Sequence, residues 1–366
     1  MKRRDFIKIS GAASAIVASG IPLYSQPSLQ SITASNIPRW RGFNLLEMFT
    51  EHGNSPFREE DFEIMVDLGF DFARIPMTYW NWSKPDNWME IDEDELKRID
   101  DVVELGKQYN VHINLNLHRL PGYCVNRADM EPHLLFGEDK SGRQKALEAA
   151  KYHWRMLARR YKGIPNRELS FDLLNEPPFS DSEAIYVEVA KALVAVIREE
   201  DPERLIVADG LDLGQTPVMG LADVGLVQST RGYLPKAVSH YTATWVPENE
   251  FETKEIPIWP LLDDKGNTWD KEKLRGEFIE KWKPLTEKGV KVHVGEWGVY
   301  KNTPHDVTLA WMEDVLSLWK EADWGQALWN LRGDFGILDS GRKDVVYENY
   351  KGHKLDRKML ELLRKY

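Results

Sequence analysis

The chain is an acidic sequence of 366 residues, with 59 Asp and Glu against 48 Lys and Arg and a formal net charge of −11. This charge argues against nucleic acid or anionic membrane surfaces as partners, because both require basic patches. Hydrophobic residues make up 42% of the chain, enough for a large core, and the single Cys124 rules out an internal disulfide. The length exceeds one ordinary domain but suits a (β/α)8 barrel, which takes about 250 residues or more.

The N-terminus has the pattern of an export signal. The basic segment Met1–Lys8 precedes an apolar run, Ile9–Gly20, that is too short to span a bilayer. Adjacent arginines followed by Phe6 are similar to a bacterial twin-arginine signal. We therefore predict a signal peptide and short leader at residues 1–35, a catalytic domain at residues 36–366, and export to the periplasm or the extracellular space.

After residue 40, short apolar runs alternate with longer amphipathic segments. The strand candidates, in chain order, are Gly42–Leu45, Phe70–Pro76, Val111–His118, the run from Leu169 that ends at Glu176, Leu205–Asp209, Ala237–Tyr241, the run from Val292 that ends at Glu296, and Gly325–Asn330. Such alternation implies parallel strands joined by crossover helices. Eight repeats predict a closed TIM barrel, an α/β fold, and the absence of a linker predicts a single domain.

Helix signals lie between the strand candidates. Asp92 with Glu95 has the spacing of a capping box, and Asn110 is the expected stop of that helix. Ser180 with Glu183 repeats the start signal before a helix that ends ahead of Pro202. The helix before the eighth strand is predicted by the spacing of Met312, Val315, Leu316 and Trp319.

Two long loops carry most of the length beyond a minimal barrel. They are Arg119–Gly137 and the segment from Thr242 to about Trp269. The second loop holds Trp245, Trp259 and Trp269 among charged residues. Two interpretations are equally open: these tryptophans form a wall that stacks sugar rings, or they only pin the loop.

Two of the predicted strands end in a carboxylate. One ends in Asn175-Glu176-Pro177, and the other ends in Gly295-Glu296-Trp297-Gly298. In a parallel barrel these strand ends share the face where reacting groups project towards the substrate. A single glutamate there is more often a solvated strand end, whereas two indicate a pair that works together.

The sequence contains no motif of three other common chemistries. It has no phosphate-binding Gly-rich loop with Lys, no Gly-x-Ser-x-Gly elbow and no His-Glu-x-x-His zinc motif. We therefore predict a hydrolase that uses neither a cofactor nor a metal. Paired carboxylates suit glycoside hydrolysis, in which one protonates the leaving oxygen and the other attacks or stabilises the anomeric centre.

Other strand ends supply further polar and aromatic side chains. Arg74, within an apolar strand, is expected to be buried and to keep a neighbouring carboxylate ionised. His118 and His240 each close a predicted strand, and each by itself is more often structural. Trp329 would ordinarily be a core residue.

In combination these residues resemble glycoside hydrolase family 5, the cellulase family, from Gly42 to about Gly341. The resemblance rests on the Asn-Glu-Pro after the fourth strand and the Gly-Glu-Trp-Gly after the seventh, with Arg74, His118–Tyr123, His240 and Trp329 in the family's order. It implies a retaining mechanism with Glu176 as general acid/base and Glu296 as nucleophile. Their carboxyl groups are then expected to lie roughly 5–5.5 Å apart.

The resemblance also implies roles for the remaining residues. Asn175 would bond the 2-hydroxyl of the sugar, and Arg74 would hold the nucleophile. His118 and His240 would line the cleft, and Trp329 would form the platform under the sugar at the cleavage point.

One motif departs from the family pattern. The family has His-x-Tyr after the sixth strand, with the tyrosine beside the nucleophile, whereas this chain reads His240-Tyr241-Thr242. Strand alternation would turn Tyr241 away from the cleft unless the backbone bulges there. Whether Tyr241 or Thr242 takes the tyrosine's place is therefore open.

Four more polar residues near the first and eighth strands are candidates for contacting sugar hydroxyls, with plain surface charge as the equal alternative. They are Asn44, Glu47, Arg332 and Asp334.

The predicted function is a retaining β-glycoside hydrolase that acts on β-glucan, with endo-β-1,4-glucanase as the first choice. β-Mannanase and exo-β-1,3-glucosidase are alternatives, because one fold hosts all three. A non-catalytic carbohydrate-binding barrel is the alternative from another class. The expected partner is a β-linked polysaccharide or oligosaccharide, bound by a monomer.

Overall fold

A computed structural model describes residues 31–126, 128–178 and 183–366. Residues 32–366 form one compact unit. The predicted signal peptide lies almost wholly outside the described residues, so the boundary at residue 35 stays a prediction. Within the described ranges, no helix is both long and apolar enough to cross a membrane.

Eight parallel strands close into a barrel, and the TIM barrel prediction is confirmed. They are β1 (Arg41–Asn44), β2 (Phe72–Thr78), β3 (His112–Arg119), β4 (Leu169–Asp172), β5 (Ile206–Asp209), β6 (Val227–Gly232), β7 (Val292–Trp297) and β8 (Gly325–Leu328). Strand β1 pairs in parallel with both β2 and β8, which closes the sheet. Because all eight strands run the same way, their carboxyl ends form one face of the barrel.

The sixth strand is Val227–Gly232, and its prediction at Ala237–Tyr241 is wrong. Lys236–Ser239 forms a short helix instead. The true strand reads Val-Gln-Ser-Thr-Arg-Gly, and its polar side chains are buried and bonded inside the protein. Gln228, for example, both donates to and accepts from the backbone of Val218. A strand with this composition lacks the apolar run that sequence reading looks for, whereas the nearby Ala-Val pair supplies a false one.

Helices connect the strands and cover the barrel. They are α1 (Glu59–Leu68), α2 (Glu93–Tyr109), α3 (Lys140–Arg160), α4 (Glu183–Glu200), α5 (Leu211–Gly214), α6 (Lys236–Ser239), α7 (Lys271–Phe278), α8 (Lys283–Thr286), α9 (His305–Glu321) and α10 (Arg357–Lys365). The Asp92 cap of α2 is confirmed, because its carboxylate accepts from the N–H groups of Asp94 and Glu95. Asn110 ends that helix in the left-handed conformation, with φ 55°. The predicted start signal of α4 at Ser180 lies outside the described residues.

The apolar core fills the layer between the barrel and its helices. Ten of the fourteen tryptophans, all of which lie in the described ranges, are buried. Trp154, Trp311 and Trp319 are among those with no exposed surface. Most tryptophans are therefore core residues, and the barrel offers a rigid frame for the strand ends.

A buried glutamate ties the loop after β3 to the loop after β2. The Glu131 carboxylate accepts hydrogen bonds from the Tyr79 hydroxyl at 2.7 Å, the Trp80 indole N–H at 3.1 Å and the Gly122 backbone N–H at 2.9 Å. Gly122 has φ 81°, a conformation that favours glycine. This cluster fixes the backbone next to Tyr123, whose hydroxyl donates to the carbonyl oxygen of Glu176.

Candidate active site

Glu176 follows the end of β4 in a strained backbone conformation. Its φ is 47°, which is uncommon for a residue with a side chain. Three contacts hold it there: its N–H donates to Asp209 Oδ2 at 2.9 Å, its carbonyl accepts from Tyr123, and its Oε1 accepts from Arg231 Nε at 3.1 Å. Its side chain is 18% exposed, so the carboxyl group still reaches the open face of the barrel.

The surroundings of Glu176 keep it protonated up to neutral pH. Burial is the main cause, and the nearby charge of Glu296 adds to it; together they raise the pKa of Glu176 to about 7. The cation of Arg231 acts in the opposite direction. A carboxylic acid with such a pKa can donate a proton near neutral pH.

Glu296 lies in β7 and is almost fully buried, with 4% of its side chain exposed. Its Oε1 accepts from Arg74 Nη1 at 2.5 Å and lies 3.4 Å from Arg231 Nη2. Its Oε2 accepts from the Tyr233 hydroxyl at 3.4 Å. Two fixed cations and a phenol therefore surround this carboxylate.

Arg74 is buried inside the barrel, as predicted, and lies against Glu296. Its Nε donates to Asp172 Oδ2 at 2.8 Å, and its Nη2 donates to Asn175 Oδ1 at 2.9 Å. Its Nη1 donates to Asn44 Oδ1 at 3.1 Å in addition to Glu296. All three nitrogens of the guanidinium have partners, so its orientation is fixed.

Arg231, at the end of β6, is a second buried arginine that the sequence reading missed. It forms a two-point contact with Asp209: Nη1 donates to Oδ1 at 3.0 Å and Nη2 donates to Oδ2. Nη2 also donates to Asn175 Oδ1 at 2.8 Å, and Nε donates to Glu176. Burial disfavours its charge, but Asp209 and the two glutamates outweigh burial and raise the pKa of Arg231. Its strand, Val227–Gly232, has no apolar run, so no local signal in the sequence points to it.

Beneath the two glutamates lies a second pair of carboxyl groups, Asp172 and Asp209. Both are fully buried in the barrel. Burial and the nearby Asp209 together raise the pKa of Asp172 to about 7, although Arg74 opposes them. The two arginines thus lie between upper and lower carboxyl groups and bond to both.

Tyr233, and neither Tyr241 nor Thr242, lies beside Glu296. Burial raises the pKa of Tyr233 well above its usual value, and Glu296 contributes, so the phenol keeps the proton that it donates. Tyr241 is partly exposed, and the hydroxyl of the exposed Thr242 accepts from Asn302. Tyr241 and Thr242 are the wrong residues because the predicted sixth strand begins ten residues too late.

His118 and Trp329 lie together near Glu296. The ring centroids of His118 and Trp329 are 6.1 Å apart, and Phe49 packs edge-on against both. His118 Nδ1 is 4.0 Å from Glu296 Oε1 and has no hydrogen-bond partner among the described residues. Burial, reinforced by the arginines, holds the pKa of His118 well below its usual range, so the ring is neutral.

His240 lies beside Tyr233, which separates it from the carboxylate of Glu296. Their ring centroids are 5.0 Å apart. His240 also packs against Phe335 at 5.6 Å, and its Nδ1 is bonded to the Ser239 hydroxyl at 2.8 Å. It follows the short helix α6, so its predicted place at the end of a strand is wrong.

The three tryptophans of the loop after β6 have different environments. Trp245 is 57% exposed, and its ring lies 5.0 Å from that of Tyr300. Trp259 is half-buried and donates its indole N–H to Asp314 at 2.9 Å. Trp269 is buried in the core. Of the three, Trp245 alone presents an open face near the site.

The four additional polar candidates are not arranged as one group. Asn44 is buried, and its amide N–H group donates to the backbone of Gly295 and of β8. Arg332 bonds to Asp61 and to His353, and Asp334 bonds to Lys301. Burial raises the pKa of Glu47, and the nearby Asp61 adds to this effect.

The described residues contain no group of three or more His, Cys, Asp and Glu side chains that could hold a metal ion.

The comparisons with known proteins agree on one family. The sequence profile of the cellulase family, glycosyl hydrolase family 5, matches residues 32–334. Endoglucanase C of Acetivibrio thermocellus is 31% identical over 328 residues, which cover 81% of this chain and 91% of that protein. Cellodextrinase A of Ruminococcus flavefaciens is 26% identical, over 70% of this chain and 73% of that protein. A crystal structure of a glycoside hydrolase superposes with a TM-score of 0.84 at 39% identity, over 89% of this chain and 99% of its own. The chain therefore belongs to glycosyl hydrolase family 5 and is a glycoside hydrolase.

Proposed function

We propose that the protein is a retaining endo-β-1,4-glucanase in which Glu176 is the general acid/base and Glu296 the nucleophile. The observation that carries the proposal is the contrast between the two carboxyl groups. Burial and Glu296 raise the pKa of Glu176 to about 7. Arg231 contacts both glutamates, whereas Arg74 donates to Glu296 and not to Glu176. Two carboxyl groups whose environments differ in this way are suited to opposite roles at one pH.

The reaction proceeds in two steps. Glu176 gives its proton to the glycosidic oxygen while Glu296 attacks the anomeric carbon, and the leaving sugar departs. Glu176, now ionised, takes a proton from water, and the resulting hydroxide displaces Glu296 from the anomeric carbon. Each step inverts the anomeric centre, so the product keeps the β configuration of the substrate.

The neighbouring residues suit supporting roles. The Asn175 amide N–H group has no partner among the described residues and is free to donate to the 2-hydroxyl of the sugar. Tyr233 donates to Glu296 and orients it. We assign Trp329 as the platform under the sugar at the cleavage point, with His118 and His240 as walls of the cleft.

The retaining mechanism is tested by following the first product by proton NMR. Cellopentaose is added to the enzyme, and the anomeric signals are recorded before mutarotation. We expect the β anomer of the new reducing end to appear first. Initial release of the α anomer would contradict the double displacement and the expected carboxyl separation of roughly 5–5.5 Å.

The substrate is tested with a panel of polysaccharides. We expect carboxymethyl cellulose to lose viscosity faster than reducing ends accumulate, the result typical of internal cleavage. Endoglucanase C and cellodextrinase A are relatives whose names support a β-glucan substrate. Faster hydrolysis of mannan would favour a β-mannanase, and release of only glucose from laminarin would favour an exo-β-1,3-glucosidase. Binding without hydrolysis of any of them would mean a non-catalytic barrel.

We also propose that the protein is exported, on the basis of the basic and apolar pattern of its first 20 residues. Replacing both Arg3 and Arg4 by Lys is expected to retain the protein in the cytoplasm of its host. Normal export of that variant would contradict the twin-arginine route.

A further inference from the structure

We propose that Arg231, oriented by Asp209, is a positioning residue that aims the Glu176 carboxyl group at the leaving oxygen. The inference rests on the proposed assignment of Glu176 as general acid/base. In the family motif His-x-Tyr, the tyrosine lies beside the nucleophile, and here Tyr233 has that place. The residue two positions before it is Arg231, so this chain has a permanent cation where the motif has a histidine.

The contacts of Arg231 show how it could position the acid. Asp209 accepts from both terminal nitrogens of the guanidinium, which fixes the plane of the group. The remaining nitrogen, Nε, then points to Glu176 Oε1 at 3.1 Å. Asp209 also accepts the backbone N–H of Glu176 at 2.9 Å. The backbone and the carboxyl group of Glu176 are thus both held by one Asp209–Arg231 pair.

The Asp209–Arg231 pair is buried and is therefore not a surface ion pair. The side chains of Arg231 and Asp209 are 1% and 0% exposed. A buried charge pair is costly to assemble and strongly destabilising when one partner is removed. The Nε–H group, which neither Asp209 nor Asn175 accepts, serves the reacting carboxyl group.

The charge of Arg231 also affects the proton affinity of Glu176. The charged and titratable groups around these two side chains are Asp172 of β4, Asp209 of β5, Glu296 and His293 of β7, Arg74 of β2, His118 of β3, and Tyr123, Tyr186 and Tyr233. The carboxylates among them favour the protonated form of Glu176, and Arg231 is the nearest cation that opposes them. Without Arg231, Glu176 would hold its proton too tightly to donate it well in the first step.

The test compares pH profiles of kcat/KM on a nitrophenyl cellobioside. Glu176 must be protonated in the first step, so activity falls as pH rises through its pKa, about 7 in the parent enzyme. In Arg231→Gln the opposing cation is lost, and we expect this basic limb to move up by about one pH unit. Arg231→Lys keeps the charge but loses the two-point contact of the guanidinium with Asp209. We therefore expect the basic limb of this variant to lie near that of the parent enzyme and its kcat to be lower.

A matched control is Arg204→Gln, which removes another buried arginine. Arg204 donates to the backbone oxygens of Leu169 and Tyr161 and does not contact the catalytic carboxyl groups. We expect it to lower stability and leave the basic limb in place. An Arg231→Gln enzyme that is folded by circular dichroism and keeps the parent limb would overturn the proposal. If that variant does not fold, an Arg231→Lys enzyme with the parent kcat would do the same.

A second readout shows through which glutamate Arg231 acts. Arg231→Gln is expected to slow hydrolysis of cellotriose by at least about tenfold more than that of dinitrophenyl cellobioside, whose leaving group needs no proton. Equal losses on both substrates would mean that Arg231 acts through Glu296 and would overturn the proposal. The same comparison on Glu176→Ala tests the underlying assignment separately, because equal losses there would remove Glu176 as the acid whatever Arg231 does.

Discussion

At the scale of single residues, Asn175 is fixed by two cations at once. Its Oδ1 accepts from Arg74 Nη2 at 2.9 Å and from Arg231 Nη2 at 2.8 Å. The amide cannot rotate by 180° without turning its N–H donors towards two guanidinium groups. Its orientation is therefore set before any substrate binds, which suits the proposed contact with the 2-hydroxyl of the sugar.

The first prediction separates the acid/base from the nucleophile. Glu176→Ala is expected to abolish polysaccharide hydrolysis nearly completely, because a sugar leaving group must be protonated. The first step on a dinitrophenyl glycoside should survive, since that leaving group needs no proton, and glycosyl-enzyme should accumulate. Added azide needs no base, so it should restore turnover and give a β-glycosyl azide, identified by NMR.

The control for this prediction is Glu296→Ala. It cannot form the covalent intermediate, so azide can react only from the opposite face and should give the α product. An α azide from the Glu176 variant together with a β azide from the Glu296 variant would mean that the two roles are reversed.

The second prediction concerns Arg74. Arg74 donates to Glu296 at 2.5 Å inside the barrel, and a carboxylate that loses such a cation is protonated more readily. Arg74→Ala is therefore expected to shift the acidic limb of the kcat/KM profile to higher pH by about one unit or more. A folded variant, verified by circular dichroism, with an unshifted acidic limb would show that Arg74 has only a structural role.

At the scale of strands and loops, the sequence was informative where polar residues interrupt an apolar run. Glu176 and Glu296 are predicted as the catalytic pair because each ends a strand that is otherwise apolar. Strand β6 was missed because its buried side chains are polar, and their partners include groups in other elements, such as Val218 and Asp209. Arg231 and Tyr233 were missed for the same reason, because they lie in this strand and directly after it. Such partners depend on the closed barrel, which no local pattern describes.

The third prediction concerns the loop after β6. Trp245 is exposed beside Tyr300 and close to His240, an arrangement suited to stacking a sugar outside the cleavage site. Trp245→Ala is expected to raise KM for a β-glucan polymer several-fold, because stacking on an aromatic face is lost. Turnover of a short aryl glycoside should be unchanged.

Trp259 supplies the matched control, since it lies in the same loop but bonds to Asp314 of α9. Trp259→Phe is expected to leave the ratio of the KM for polymer to the KM for aryl glycoside unchanged. If Trp245→Ala raises KM for both substrates equally, or for neither, the loop is not a binding wall.

At the scale of the whole molecule, three buried histidines make stability depend on pH. Burial lowers the pKa of His112 and His293 to about 3 and that of His153 to about 4. The unfolded chain takes up these protons near pH 6.5 and the folded chain does not. Above pH 6.5 these histidines are neutral in both states, and the folded protein keeps its full stability. As pH falls from 6.5 towards these lower pKa values, the unfolded chain gains the protons and the free energy of unfolding decreases.

The fourth prediction isolates one of these histidines. His153 accepts from the Trp82 indole N–H at 3.2 Å, which requires an unprotonated nitrogen. Between pH 7 and 4.5 the parent protein is expected to lose about 2 kcal/mol more unfolding free energy than His153→Gln. Urea denaturation at both pH values measures this difference. Equal losses in both proteins would mean that His153 is not a source of the acid sensitivity.

The exposure of Trp245 also gives the protein an optical reporter. Of the fourteen tryptophans, all within the described ranges, it alone is exposed. A neutral collisional quencher such as acrylamide should therefore reduce its fluorescence before that of the buried indoles. A glucan chain lying across this ring would shield it, so the quenching constant should fall when glucan binds, even in a variant that cannot turn over.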